Sequence, residues 1–133
     1  MTGLSAGSIC WFRWGSSDYR KVRDPRQGYA LVHGLGFLPG GHCPHFDSEP
    51  DRQRDLKVMM EKNPGVVVAI DDRAALEVVG DRYRIIAAQR SANAYRVFWR
   101  RGRYQRFPLP KDNRWRSVSE LFDKRVLSEE PGK

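Results

Sequence analysis

The stretch Val66-Val67-Val68-Ala69-Ile70 decides the fold. Five consecutive apolar residues, mostly β-branched, read as a strand buried on both faces, since a half-exposed strand would alternate with polar residues. Working outward, Asn63-Pro64-Gly65 stops the element before it. That element, residues 48–62, reads as a helix with Ser48 as cap and Leu56, Met59 and Met60 at i, i+3, i+4 on one face. On the other side, residues 74–79 and 82–88 flank Gly80-Asp81, and residues 95–99 and 104–107 flank Arg101-Gly102. Both are hairpin signals, and Pro108 and Pro110 end the second. Ser117 with Glu120 three residues on has capping-box spacing and predicts a short helix to about residue 127, with a frayed tail over 128–133.

Further toward the N-terminus, an apolar stretch around Leu31, Val32, Leu35 and Phe37 runs into Pro39-Gly40-Gly41. It reads as a strand or extended segment ending near residues 42–46. Residues 15–28 are polar and read as a loop. Residues 3–14 begin with small residues and turn apolar, which suits a turn that opens a helix. The order predicts an α/β fold in which part of a parallel sheet carries antiparallel hairpins at its edge.

The chain has 133 residues, enough for one domain, expected over 1–127. With 40% hydrophobic and 30% charged residues it reads as a globular protein rather than a disordered one. No apolar run approaches the roughly 20 residues of a membrane span. No signal peptide is visible, and two cysteines, Cys10 and Cys43, make no disulfide framework, so the expected compartment is the cytoplasm. The net charge of +8 admits an anionic partner.

Chemistry enters at Gly3-Leu4-Ser5-Ala6-Gly7, a G-x-S-x-G pentapeptide. In such an elbow the glycines keep neighbouring backbone clear and the serine hydroxyl projects at a sheet edge. The N–H of Ala6 would face a developing oxyanion. A nucleophilic serine needs a base, and His45 follows a strand end, where catalytic loops gather in open α/β sheets. Asp18, in Ser16-Ser17-Asp18, is the candidate acid that would orient it. All three lie within about forty positions, which is too close for the spacing of an α/β-hydrolase.

Four stretches together carry a resemblance: G-L-S-A-G-S-I-C-W-F, S-S-D-Y, L-G-F-L-P-G-G-H-C-P-H-F-D and A-I-D-D-R-A-A-L. In this order the chain resembles the peptidase E family of serine peptidases, the aspartyl dipeptidases, over residues 3–98. These are related to class I glutamine amidotransferases and share their flavodoxin-like fold. The resemblance implies Ser5 as nucleophile, His45 as base and Asp18 as third member. It also implies an arginine on the helix after the histidine loop, Arg52 and next Arg54, that pairs with the side chain of an N-terminal Asp through a bidentate contact. The implied substrate is a short Asp-X peptide, with no cofactor and no metal. Only Met1 and Thr2 precede Gly3, so the strand feeding the elbow and the loop donating a second oxyanion N–H are expected to be missing. The chain reads as the C-terminal part of such a peptidase, with little or no activity expected of it alone. The oligomeric state stays open.

Three other readings compete. Cys10, His42, Cys43 and His45 are zinc ligands in type, but their spacing is no structural-zinc signature. Arginines interleaved with aromatics over residues 95–116 resemble a nucleic-acid surface, against the simpler reading of a hairpin with arginines on its wet face. The chain also reads as a non-catalytic remnant whose open sheet edge invites a partner.

Overall fold

A computed structural model describes residues 2–126, so the tail expected over 128–133 lies outside the described residues; the helix expected from Ser117 to about residue 127 is a single turn ending at Leu121, and residues 122–126 are not helical. The elements are α1 (Ala6–Ile9), β1 (Phe12–Ser17), α2 (Tyr19–Arg23), β2 (Ala30–His33), β3 (Leu38–Cys43), α3 (Pro50–Lys62) and β4 (Val67–Ile70). They continue with β5 (Ala74–Val79), β6 (Arg82–Ala87), β7 (Ala94–Arg100), β8 (Arg103–Pro108), β9 (Arg116–Ser117) and α4 (Val118–Leu121). The main sheet runs β2-β1-β3-β4-β7-β8, and a smaller one runs β5-β6-β9. Strands β1, β3 and β4 are parallel, while β2, β7 and β8 join antiparallel at the two sides. This is an α/β fold with a flavodoxin-like parallel centre and antiparallel edges.

Strand β4 explains why the valine run reads as it does. Val67 packs with Trp14, Phe46, Leu56, Met60, Val97 and Phe98 on the side covered by α3. Val68 belongs to the opposite cluster, with Phe12, Tyr83, Ile85, Leu109 and Leu121 beneath the smaller sheet. Successive side chains of a strand point to opposite faces, so a strand covered on both sides must be apolar at every position. Helix α3 buries Leu56 and Met60, and Met59 packs at the edge of the same cluster, as the i, i+3, i+4 spacing predicts.

Some local expectations needed correcting. Residues 12–17, expected to end a helix and begin a loop, form β1, and α1 stops at Ile9. The β1 sequence F-R-W-G-S-S buries every position except Arg13, including Ser16 and Ser17. Its strand character comes from the sheet around it, so local polarity misleads. The segment over residues 29–46 splits into two strands, β2 and β3. Strand β3 ends at Cys43, within the expected 42–46, and takes in Gly40-Gly41: a side chain at Gly41 would sit 2.6 Å from the indole of Trp14 on β1. Helix α3 starts at Pro50, whose fixed φ suits the first helical turn, with Glu49 rather than Ser48 at the cap position. Ser117 stands at the cap position of α4 but makes no side-chain cap, bonding Ser119 instead.

Several arginines of the β7–β8 region serve the fold. Arg96 is buried and donates to the carbonyls of Leu121, Asp123 and Val126, and Arg106 stacks over Tyr95. Among the described residues no helix is long and apolar enough to cross a membrane.

Candidate active site

Parallel strands bring their C-terminal ends to one edge, and the loops that follow them become neighbours. His42 lies beside Val68 and Cys43 beside Ala69 in the β3–β4 ladder. The chain leaves β3 through Cys43-Pro44-His45 and leaves β4 through Asp71-Asp72-Arg73. Backbone hydrogen bonds fasten these exits: Phe46 N–H donates to Ile70 O (3.0 Å), and Asp72 N–H donates to the Asp47 carboxylate (2.8 Å). Asp71 anchors the second loop to the segment before β7, donating its N–H to Asn93 O and accepting Asn93 N–H on its own carboxylate.

Three side chains meet at this edge. Ser5 Oγ lies 3.0 Å from His45 Nε2, and His45 Nδ1 lies 2.5 Å from Asp72 Oδ1. A carboxylate only accepts, so the tautomer of a neutral His45 ring that fits this contact has its proton on Nδ1 and offers Nε2 to the Ser5 hydroxyl. The His45 hydrogen bond is the main reason the Asp72 carboxyl is held below its ordinary range, against the opposing effect of burial. Asp72 therefore stays anionic beside the ring.

The backbone at the site is held in unusual conformations. Ser5 has φ 54° and ψ −117°, His45 has φ 52°, and Arg73, next to Asp72, has φ 67°. Positive φ in a residue with a Cβ costs roughly 1–3 kcal/mol and persists where surrounding structure compels it. At the elbow the two glycines differ. A Cβ on Gly3 would lie 2.2 Å from Gly7 O, whereas one on Gly7 would meet nothing within 4 Å among the described residues. Gly3 is the one the turn requires. Helix α1 opens at Ala6, directly after the serine, so the Ala6 amide belongs to the first turn behind the nucleophile.

The hydroxyl faces a cleft of about 710 Å³. Ser5, His45 and Asp72 line one part of it, and apolar side chains, including Trp11, Phe37 and Ile86, line another. Phe37 and Ile86 are substantially exposed there.

Two of the expected site residues lie elsewhere. Asp18 occupies the cap position of α2 and does not line the cleft; the carboxylate on His45 is that of Asp72. Arg52 is 1% exposed. Its guanidinium donates to Ser16 Oγ (3.3 Å), Ser16 O (3.2 Å), Pro44 O (3.3 Å) and the Glu49 carboxylate, and it lies over the Tyr29 ring. It braces the end of β1 against the histidine loop, and its donors face protein. Arg54 is exposed and pairs with Asp51 and Asp55. Asp72, which the sequence reading does not single out, is the carboxylate the structure places on His45. The strand-end argument that singles out His45 applies equally to the Asp71-Asp72 pair after the valine strand, and it was the signal available.

Comparison with known proteins places this arrangement in a family. Residues 1–86 match peptidase family S51. The chain belongs to that family. It is also similar to "Uncharacterized peptidase YgaJ" of Bacillus subtilis (strain 168), 35% identical over 112 residues. That alignment takes in 83% of this chain and 46% of the relative, so the chain spans about half the relative's length.

Proposed function

We propose that this S51 chain carries the nucleophile, base and acid of a serine peptidase that acts on short peptides through Ser5, His45 and Asp72. The observation that carries the reading is the continuous chain of hydrogen bonds from Ser5 Oγ through both nitrogens of His45 to Asp72. His45 Nε2 takes the hydroxyl proton as Ser5 Oγ bonds to the substrate carbonyl carbon. The carbonyl electrons move to the oxygen, facing the Ala6 amide. His45 returns the proton to the leaving nitrogen, the C–N bond breaks and an acyl-enzyme remains. Water then repeats the sequence and frees Ser5. Asp72 holds the ring in the required tautomer and stabilises the imidazolium formed in each half.

The finer reading is cleavage of Asp-X dipeptides. An acidic substrate side chain needs a cation. The donors of Arg52 are engaged inside the fold, and Arg73 lines the cleft beside Asp72. On this reading Arg73 takes the substrate carboxylate. The test compares hydrolysis of Asp-Leu and Ala-Leu by the parent, Ser5→Ala and Arg73→Gln. Ser5→Ala should abolish both activities, and Arg73→Gln should lose the preference for Asp-Leu. Cleavage by Ser5→Ala at the parent rate overturns the nucleophile assignment. An unchanged preference in Arg73→Gln overturns the role of Arg73.

A further inference from the structure

The mechanism above uses one histidine of the cleft, but a second lies behind the nucleophile. His42 is 1% exposed, lies flat on Phe12 with ring centroids 4.6 Å apart, and has both nitrogens engaged. Nδ1 is 2.9 Å from Val68 O on β4, and Nε2 is 2.7 Å from Ser8 Oγ. Ser8 Oγ is in turn 2.6 Å from the backbone carbonyl oxygen of Ser5. An unbroken line of contacts therefore runs from the carbonyl of the nucleophile to the centre of the main sheet.

Counting protons defines how the line works. A carbonyl only accepts, so the ring proton of a neutral His42 sits on Nδ1, toward Val68 O, and Nε2 is an acceptor. The single hydroxyl proton of Ser8 lies between two acceptors, Nε2 of His42 and Ser5 O. Burial pushes His42 down to about 4, and the nearby Arg52 and His45 also disfavour its charged form. The neutral form is thus the one present at neutral pH.

The placement of the two histidines gives the arrangement its purpose. His42 is the penultimate residue of β3, and His45 lies three residues later on the same segment. One contacts the Ser5 backbone through Ser8, and the other accepts from the Ser5 side chain. Both ends of the nucleophile are thereby referenced to β3 and the loop that leaves it. Catalytic contacts need placement within about 0.5 Å, and supporting hydrogen bonds commonly supply it.

We propose that Ser8 and His42 are positioning residues that hold the Ser5 carbonyl, and so the left-handed Ser5 backbone, in the orientation that aims Oγ at His45. The proposal rests on the serine peptidase reading. Neither residue touches the reacting atoms.

The test uses the full chain and a fluorophosphonate, which reacts with an activated serine whatever the natural substrate. Labelling rates are measured for the parent, Ser8→Ala, Ser8→Thr, His42→Leu and His42→Gln, with melting midpoints alongside. The side chain of Gln offers an N–H toward Val68 O and an oxygen toward Ser8, so it can replace both ring contacts. Ser8→Ala and His42→Leu should label about ten- to a hundredfold more slowly. Ser8→Thr and His42→Gln should recover most of that loss. Parent-rate labelling of Ser8→Ala overturns the proposal, as does His42→Gln labelling as slowly as His42→Leu. Ser8→Ala keeps the test decisive if His42→Leu fails to fold. A folded parent that takes no label overturns the peptidase reading itself. Nitrogen NMR of the parent separates the two failures: a neutral ring protonated at Nδ1 identifies the His42 contacts independently of reactivity.

Discussion

His45 and Asp72 are 27 residues apart in the chain, yet Nδ1 of one lies 2.5 Å from Oδ1 of the other. The pair exists because β3 and β4 are adjacent and parallel, so the loops that leave them start side by side. Neither residue belongs to a regular element; Phe46, next to His45, donates its N–H to Ile70 O, and Asp72 donates its own N–H to the Asp47 carboxylate.

The first prediction separates the two aspartates. Asp72→Asn removes the carboxylate that selects the His45 tautomer and should slow phosphonylation of Ser5 by about a hundredfold or more. Asp18→Asn should leave the rate within about twofold, since Asp18 lies outside the cleft. Second-order labelling constants for the two variants decide it. Equal losses would return Asp18 to the site.

The second concerns the elbow. Gly3→Ala forces a methyl into the carbonyl of Gly7 and should both lower the melting midpoint and abolish labelling. Gly7→Ala places its methyl in open space and should be tolerated, with a small gain in helix propensity. Calorimetry together with labelling distinguishes the two positions.

The third tests Arg52 as a brace. Arg52→Met strips partners from Ser16 O, Pro44 O and Glu49, and should destabilise the fold by roughly 2–4 kcal/mol. Arg54→Gln, at an exposed helix position, should change stability by no more than about 0.5 kcal/mol. Urea melts at pH 7.5 measure both. If Arg52→Met keeps full stability and loses only selectivity for acidic substrates, Arg52 reads the substrate after all.

The fourth follows from the buried ring of His42. Its folded-state value of about 4 lies below the ordinary 6.5, chiefly through burial. As pH falls from 6.5 toward 4 the unfolded chain binds the proton first, so stability falls across that window, by up to roughly 3 kcal/mol from this group. Above pH 6.5 the group contributes no slope. His42→Gln should flatten that part of the stability profile, and melts at pH 7.5 and 4.5 read the difference.

Much of this architecture is legible in the sequence because particular residues leave little choice. The valine run marks a doubly covered strand, and Gly80-Asp81 and Arg101-Gly102 mark the two hairpins that form. Ser5 and His45 come together in space as the elbow pattern and the strand-end position of the histidine lead one to expect. Strand β1 is less legible, since Gly15, Ser16 and Ser17 look like a loop and become a strand only with β2 and β3 on either side. Asp18 and Arg52 lie away from the Ser5–His45 contact for a related reason. Residue type and chain order name the chemistry a side chain can perform, but the packing of α3 against β1 decides whether a guanidinium meets solvent or the backbone. Asp72 is not legible from chain order, since it lies beyond the histidine and reaches it only because β4 runs beside β3.

Cys43, two residues before His45, has a consequence for reagents. It is fully buried, and burial pushes its thiol up to about 12. Almost none of it is thiolate at neutral pH, and the thiolate is the reactive form. Cys10 is only half-buried, with its Sγ against Gly7 O. Iodoacetamide should therefore alkylate the native protein at Cys10 and spare Cys43. A dye attached at Cys10, within the segment that follows the nucleophile, would report on the elbow while leaving the base loop chemically untouched.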